Sequence, residues 1–333
     1  MSESTLSTEY SDLREAIAHY LGFGLTSTDW STDEAATIAM ILKRGLRQFY
    51  FPPRLYQTED PHEWNFLKPT MSLDTIATYS TGTIAVVKTG TTVTLTTGVW
   101  PSWAYTHGTL VVDTTEYAIA SRTSDAEIEL SAAWTEDTET AATYDLKHDG
   151  NYDLPDDFGG MDGTLTYEPS ENKADIKIVG EGRIRTLRRN DSSTTYPLYV
   201  AIRPKEQTDT TTGQRFEVMF YPIPDDAYEL AYRMNILPQM LVATTLTHPY
   251  GGAIHAETIE ASCLAIAELQ EDEKEGPKKA YFMERLSASI SKDKNTARQE
   301  YFGYNGDQSQ NYNRYDRRRH CRDDHLVTYD GGV

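Results

Sequence analysis

Two stretches of helical period open the chain. In "SDLREAIAHYLGFG" (11–24), Leu13, Ile17, Tyr20 and Leu21 fall on one face; Ser11 is the expected N-cap and Gly22 or Gly24 the stop. "STDE" at 31–34 spells a capping box, Ser31 with Glu34, and Ile38, Ile41, Leu42, Gly45 and Phe49 then keep helical spacing up to Pro52-Pro53. Gly45 in mid-helix costs about 1 kcal/mol against alanine, which points to close packing of a second helix there. Beyond about Met71 the period changes to two. The β-branched runs "TIAVVK", "TTVTLTT", "TLVVD", "EYAIAS", "AEIELS" and "ATYDL" alternate with turns and predict six short strands, a barrel or sandwich. After "YDLPDDFGG" come longer runs, "GTLTYEP", "ADIKIVG", "RIRTLRR", "PLYVAIRP", "QRFEVMFYP" and "YELAYRMN", read as strands with prolines 197, 204, 222 and 224 at their ends. Two helices follow. One carries Ala256, Ile259, Cys263 and Ile266 on one face; Gly276-Pro277 opens the other, with Phe282, Leu286 and Ile290 inward.

This order predicts an α+β fold: a helical bundle with an antiparallel β-region, a small inserted all-β domain (barrel or sandwich), and an extended C-terminal arm. The expected divisions are 1–71, the first helical part of the body; 72–146, the insert; 147–300, the β-region and closing helices; and 301–333, the arm. Residues 72–146 hold 19 threonines and only Lys88 and Arg122 as basic residues, so composition marks the insert as well as period does.

Charge changes the picture next. The formal net charge is −20, yet residues 301–333 carry five arginines against five aspartates, so the whole deficit lies in residues 1–300. Such a body repels phosphate, which argues against a sequence-reading nucleic-acid binder but suits the wall of a conduit through which DNA slides. "MSESTLSTEYSDLREA" lacks the basic and apolar regions of a signal peptide, no run reaches transmembrane length, and two cysteines make no disulfide framework; these predict a cytoplasmic origin.

No catalytic set is expected, and no cofactor or metal. Gly180-Glu181-Gly182-Arg183 lacks the lysine and third glycine of a phosphate loop and is read as a turn before a strand. His248 and His255 lack a third ligand nearby, and His320, Cys321, Asp323, Asp324 and His325 lack regular zinc spacing. Asp156-Asp157 sits among turn residues. Trp100, Trp103 and Tyr105 place three aromatics on one loop of the insert. They either cap a small barrel's core or offer faces to a sugar, and the second option makes a tail accessory protein that binds host glycans the alternative function.

The closing segment has an unusual composition for a disordered end. Tyr301, Phe302, Tyr304, Tyr312 and Tyr315 accompany Arg314, Arg317, Arg318, Arg319 and Arg322. Disordered tails are poor in aromatics, whereas tyrosine and arginine dominate binding hot spots. The expectation is an arm that orders on a protein partner.

"RGLRQFYFPP", "YDLPDDFGGM", "QRFEVMFYPIPDDAYELAYRMNILP" and "HPYGGAIHAETIEASCLAIAE" together resemble the head-to-tail connector (adaptor) proteins of tailed bacteriophages, the tail-tubular-A-like group, over about residues 8–300 apart from the insert. The resemblance implies a non-enzymatic virion protein at the neck, assembled in the host cytoplasm into a ring of about twelve copies. Its partners would be further copies of itself, the portal protein, which the arm docks on, and a tail or nozzle protein, with DNA passing through unread and no membrane involved.

Overall fold

The computed structural model describes residues 4–55, 60–191, 193–206 and 213–296 of a mixed α+β protein. Helix α1 (Tyr10–Leu21) buries Leu13, Ile17 and Ala18 and ends at Gly22, whose φ of 76° only glycine adopts freely. Its start differs from expectation. Ser11 lies inside the helix and Glu9 takes the cap position, because Asp12, three residues on, accepts the Glu9 N–H at 2.9 Å. Helix α2 (Thr32–Tyr50) starts as expected: Glu34 accepts the Ser31 N–H at 2.7 Å, and Ser31 Oγ accepts the Glu34 N–H at 3.3 Å.

Strand β1 (Thr70–Asp74) follows, and then a sheet of seven antiparallel strands: β2 (Ile84–Val86), β3 (Thr92–Leu95), β4 (Gly108–Val112), β5 (Thr115–Arg122), β6 (Glu127–Leu130), β7 (Glu139–Ala142) and β8 (Asp145–His148). A four-residue helix, α3 (Ala104–His107), precedes β4. The strand order is β7-β2-β3-β6-β5-β4-β8, so the two outermost strands are separated in sequence by only Thr143 and Tyr144. Three residue-to-residue steps reach about 11 Å, whereas six flat inter-strand spacings would put the edges about 29 Å apart. The sheet therefore curls into a half-barrel that brings its edges together. The run "ATYDL" is not one strand but this crossing, with Tyr144 buried inside it. The concave side has a core of its own around Trp100, Trp134, Leu110, Ile128 and Leu146.

The remaining strands form two sheets. Strands β9 (Asn151–Asp153), β10 (Phe158–Tyr167), β11 (Lys177–Ile178), β12 (Tyr199–Pro204), β13 (Phe216–Tyr221) and β14 (Glu229–Ile236) pair in the orders β1-β14-β10 and β11-β12-β13-β9. Phe158, Leu165, Val200, Val218, Phe220, Leu230 and Tyr232 fill one core between them. Because β1 pairs with β14 through Thr70–Asp74, and β8 runs to His148, the curled sheet occupies 84–148 of the chain. "RIRTLRR" is helical, which corrects the strand reading and the turn assigned to Gly180–Arg183: α4 (Glu181–Asn190) begins right after Gly180. Arginines at alternate positions imitate a period of two, but Ile184 packs on Ala201 and Met219 and the arginines of the last turn complement the helix dipole. Strand β13 is consequently covered on both faces.

Helices α5 (Gly252–Asp272) and α6 (Pro277–Thr296) complete the bundle with α1 and α2. Gly45 is where α2 and α5 touch. A Cβ there would lie 2.7 Å from the Cα and Sγ of Cys263, and Ser262 Oγ donates to the Gly45 carbonyl at 2.8 Å. The buried Glu268 caps the start of α6, accepting N–H groups of Gly276, Lys278 and Lys279 at 3.1–3.2 Å. Phe282, Leu286 and Ile290 then point into the helical core. Residues 1–290 make one compact unit; of the second, 291–333, residues 291–296 are described as the end of α6.

Candidate functional site

Among the described residues, a cluster of ligand-capable side chains, His107, His148 and Asp149, lies where the curled sheet gives way to the paired sheets. Gly108 of β4 lies opposite His148 of β8, which sets His107, the residue before Gly108, beside Asp149, the residue after His148. The Asp149 N–H donates to the His107 carbonyl at 2.8 Å. Gly150, at φ 74°, then turns the chain into β9, whose register with β13 belongs to the paired sheets. The dihedral favours glycine, and a Cβ there would press on Arg188 Nη2 at 2.9 Å and Ile223 at 3.2 Å.

Three elements converge on this turn. His107 Nδ1 lies 3.3 Å from the Asp149 carboxylate, which also accepts the Asn151 N–H at 2.9 Å and its side-chain amide at 2.7 Å. From α4, Arg188 donates to Asn151 Oδ1, to the Gly150 carbonyl and to the Phe220 carbonyl at 2.7–3.1 Å. His148 Nδ1 accepts the Gly150 N–H at 3.1 Å, and its ring stacks on Tyr152 at 4.3 Å with Trp103 edge-on at 5.2 Å.

The electrostatics follow from this packing. Burial pushes His148 down to about 4, so it is neutral at pH 7. The hydrogen bond to Asp149 raises His107 above its ordinary value, against the effect of burial. Burial would raise Asp149, but the hydrogen bonds from His107 and Asn151 outweigh it and hold the carboxyl below its usual range. Burial also lowers Arg188. The result is a carboxylate fixed beside two imidazoles, a set able to store a proton or hold a cation. Sequence reading missed it, since His107 and Asp149 are 42 residues apart and neither sits in a local motif.

A cavity of about 750 Å³ lies elsewhere, between the end of α2 and the end of β14, lined by Tyr50, Trp64, Leu67, Lys68, Asn235 and Leu237 among others. Lys68 is paired with Glu63 at 2.8 Å, and Trp64 donates to the Phe49 carbonyl at 2.8 Å. His255 packs among Phe49, Trp64 and Phe66. Asp156 and Asp157 occupy a turn, where Asp156 pairs with Arg215 at 2.7 Å.

The aromatic loop does not offer a common face. Trp100 is completely buried against Tyr144, its indole N–H donating to the Ala126 carbonyl, so of the two options it takes the core position and has no surface for a sugar. Trp103 turns toward His148, and Tyr105, 52% exposed, stands apart. Tyr301, Phe302, Tyr304, Tyr312, Arg314, Tyr315, Arg317, Arg318, Arg319 and Arg322 lie outside the described residues. No helix among the described residues is long and apolar enough to cross a membrane. No family model matches the chain, and no curated protein shows significant similarity to it.

Proposed function

We propose that this chain is a head-to-tail adaptor of a tailed bacteriophage, a structural part of the virion that forms a ring beneath the portal. The observation that carries the reading is the division of charge: a body with a formal charge of −20 joined to a neutral segment rich in tyrosine and arginine. Repeated around a ring, the body would line a conduit that repels the DNA backbone. The closing segment would supply aromatic anchors and bidentate arginines for carboxylates on the portal. Each such contact can be weak while the multivalent ring holds. Exposed apolar side chains on the bundle, such as Ile254 and Leu269 of α5 and Tyr281 of α6, are surfaces for neighbouring copies to cover.

In this reading the half-barrel is a domain inserted into the adaptor body and carried on the ring's outer surface, where it blocks neither channel nor stacking faces. The separate core around Trp100 and Trp134 supports it. The glycan-binding alternative loses its central ring with the burial of Trp100.

The test is copurification with the virus's portal protein, full-length chain against a version ending at Glu300, imaged by electron microscopy. A ring docked under the portal that disappears on truncation is the expected result. A full-length chain that stays monomeric and ignores the portal would overturn the adaptor reading.

A further inference from the structure

We propose that His107, His148 and Asp149 bind one divalent transition-metal ion of the zinc class at the half-barrel's exit, where the chain passes on to the paired sheets. Asp149 Oδ1 lies 3.3 Å from His107 Nδ1 and 3.5 Å from His148 Nδ1, and the three ligand atoms lie within 4.8 Å of one another. Around a tetrahedral ion with bonds of about 2.0–2.1 Å, ligand atoms sit about 3.3–3.4 Å apart. Two edges of that tetrahedron are therefore close to that length; the two imidazoles stack at 5.2 Å between ring centroids, so closing the third takes a rotation of the His107 ring out of that stack.

A second observation points the same way. His148 Nδ1 accepts the Gly150 N–H, so it carries a lone pair and cannot donate to Asp149. It lies 3.5 Å from the carboxylate, with the side chain 3% exposed. His148 Nδ1 is thus already in the unprotonated form in which an imidazole binds a metal. Two imidazoles and a carboxylate form a nitrogen–oxygen set suited to zinc and its neighbours, and Asp149, 35% exposed, leaves a side open for water as fourth ligand. Asn151, through its amide and its backbone N–H, is a positioning residue that aims the carboxylate. Arg188 spends its donors on Asn151 and two carbonyls rather than on Asp149.

Binding has a simple balance. The ion takes the lone pairs of both Nδ1 atoms and of one carboxylate oxygen. The Nδ1 proton of His107 goes to the buffer if the ring is doubly protonated and to its own Nε2 if the ring is neutral, and the Gly150 N–H loses its acceptor. The site does not depend on the adaptor reading and can be tested apart from it.

The experiment uses the full-length chain with H320A, C321S and H325A, which silences the terminal histidines and cysteine. It is stripped with a chelator and titrated with cobalt(II), then zinc. The expected result is visible bands of four-coordinate cobalt reaching one ion per chain and displaced by zinc. Asp149→Asn should abolish the bands, and Asn151→Ala should weaken binding about tenfold to a hundredfold. No stoichiometric band in the silenced chain overturns the proposal whatever the variants do. So does a band that Asn151→Ala and Asp149→Asn, both folded by circular dichroism, leave unchanged.

Discussion

A methyl group at Gly45 would press on the backbone of Cys263 as well as on its sulfur. Alanine gains about 1 kcal/mol of helix propensity there, but forcing α2 and α5 apart costs about 1–3 kcal/mol. Gly45→Ala is therefore expected to lower the stability measured by urea unfolding by about 1 kcal/mol, given that the obstructing atom is backbone. Adding Cys263→Ala should restore only part of it, because removing the sulfur leaves the α5 backbone in the way. Glu268 lies further along α5, toward its C-terminal end. Its buried carboxylate holds three N–H groups of the α6 start, and hydrogen bonds to a charged group are each worth more than neutral ones. Glu268→Ala should cost about 3 kcal/mol and raise amide exchange first in the opening turn of α6. Burial pushes the Cys263 thiol up to about 12. In a Cys321→Ser background, a disulfide reagent at pH 8 should find no reactive thiol until denaturant is added, and one after. Rapid reaction of the folded chain would show that the α2–α5 packing opens readily.

At the scale of elements, α4 ties the half-barrel's exit to the paired sheets. Arg188 satisfies Asn151 Oδ1 and the carbonyls of Gly150 and Phe220 at once. Arg188→Ala takes this donor from Asn151 Oδ1 and the Phe220 carbonyl, while the Gly150 carbonyl keeps the Phe220 N–H at 3.0 Å, and should cost about 2–4 kcal/mol, with faster hydrogen exchange in β9 and β13 but not in α2 or α5. Lysine cannot replace the planar fork and should rescue little. The helices were legible because a capping box, a terminal glycine and a 3.6-residue period act within a few residues of one another. The half-barrel's strands were legible for the same reason, as alternation between turns. The "RIRTLRR" segment was not: its alternating charge reads as a strand, and only the apolar patch of Ala201 and Met219 beneath Ile184 makes a helix the better burial. The crossing at Thr143–Tyr144 was hidden too, because the curl that joins the two edges is a property of the whole sheet.

For the molecule as a whole, charge makes predictions of opposite sign. Copies carrying −20 repel one another, and at about 0.15 M salt that repulsion is screened beyond about 8 Å. Ring formation by the isolated protein should therefore increase as salt is raised from low to physiological concentration, followed by light scattering. Docking on the portal, if carried by the arginines of the closing segment, should weaken over the same range. Truncation at Glu300 should remove the second dependence and leave the first.

The positions of the bundle helices, the close approach at Gly45, the alternating strands and the division of charge all follow from the order of residues, because each is written in neighbours along the chain. Tertiary structure alone decided the rest. It buried Trp100 inside the half-barrel, turned Trp103 toward His148, and set His107 against Asp149. Those placements depend on strand register and sheet curvature, which are fixed by the packing of residues dozens of positions apart and so leave no mark in any short stretch of sequence.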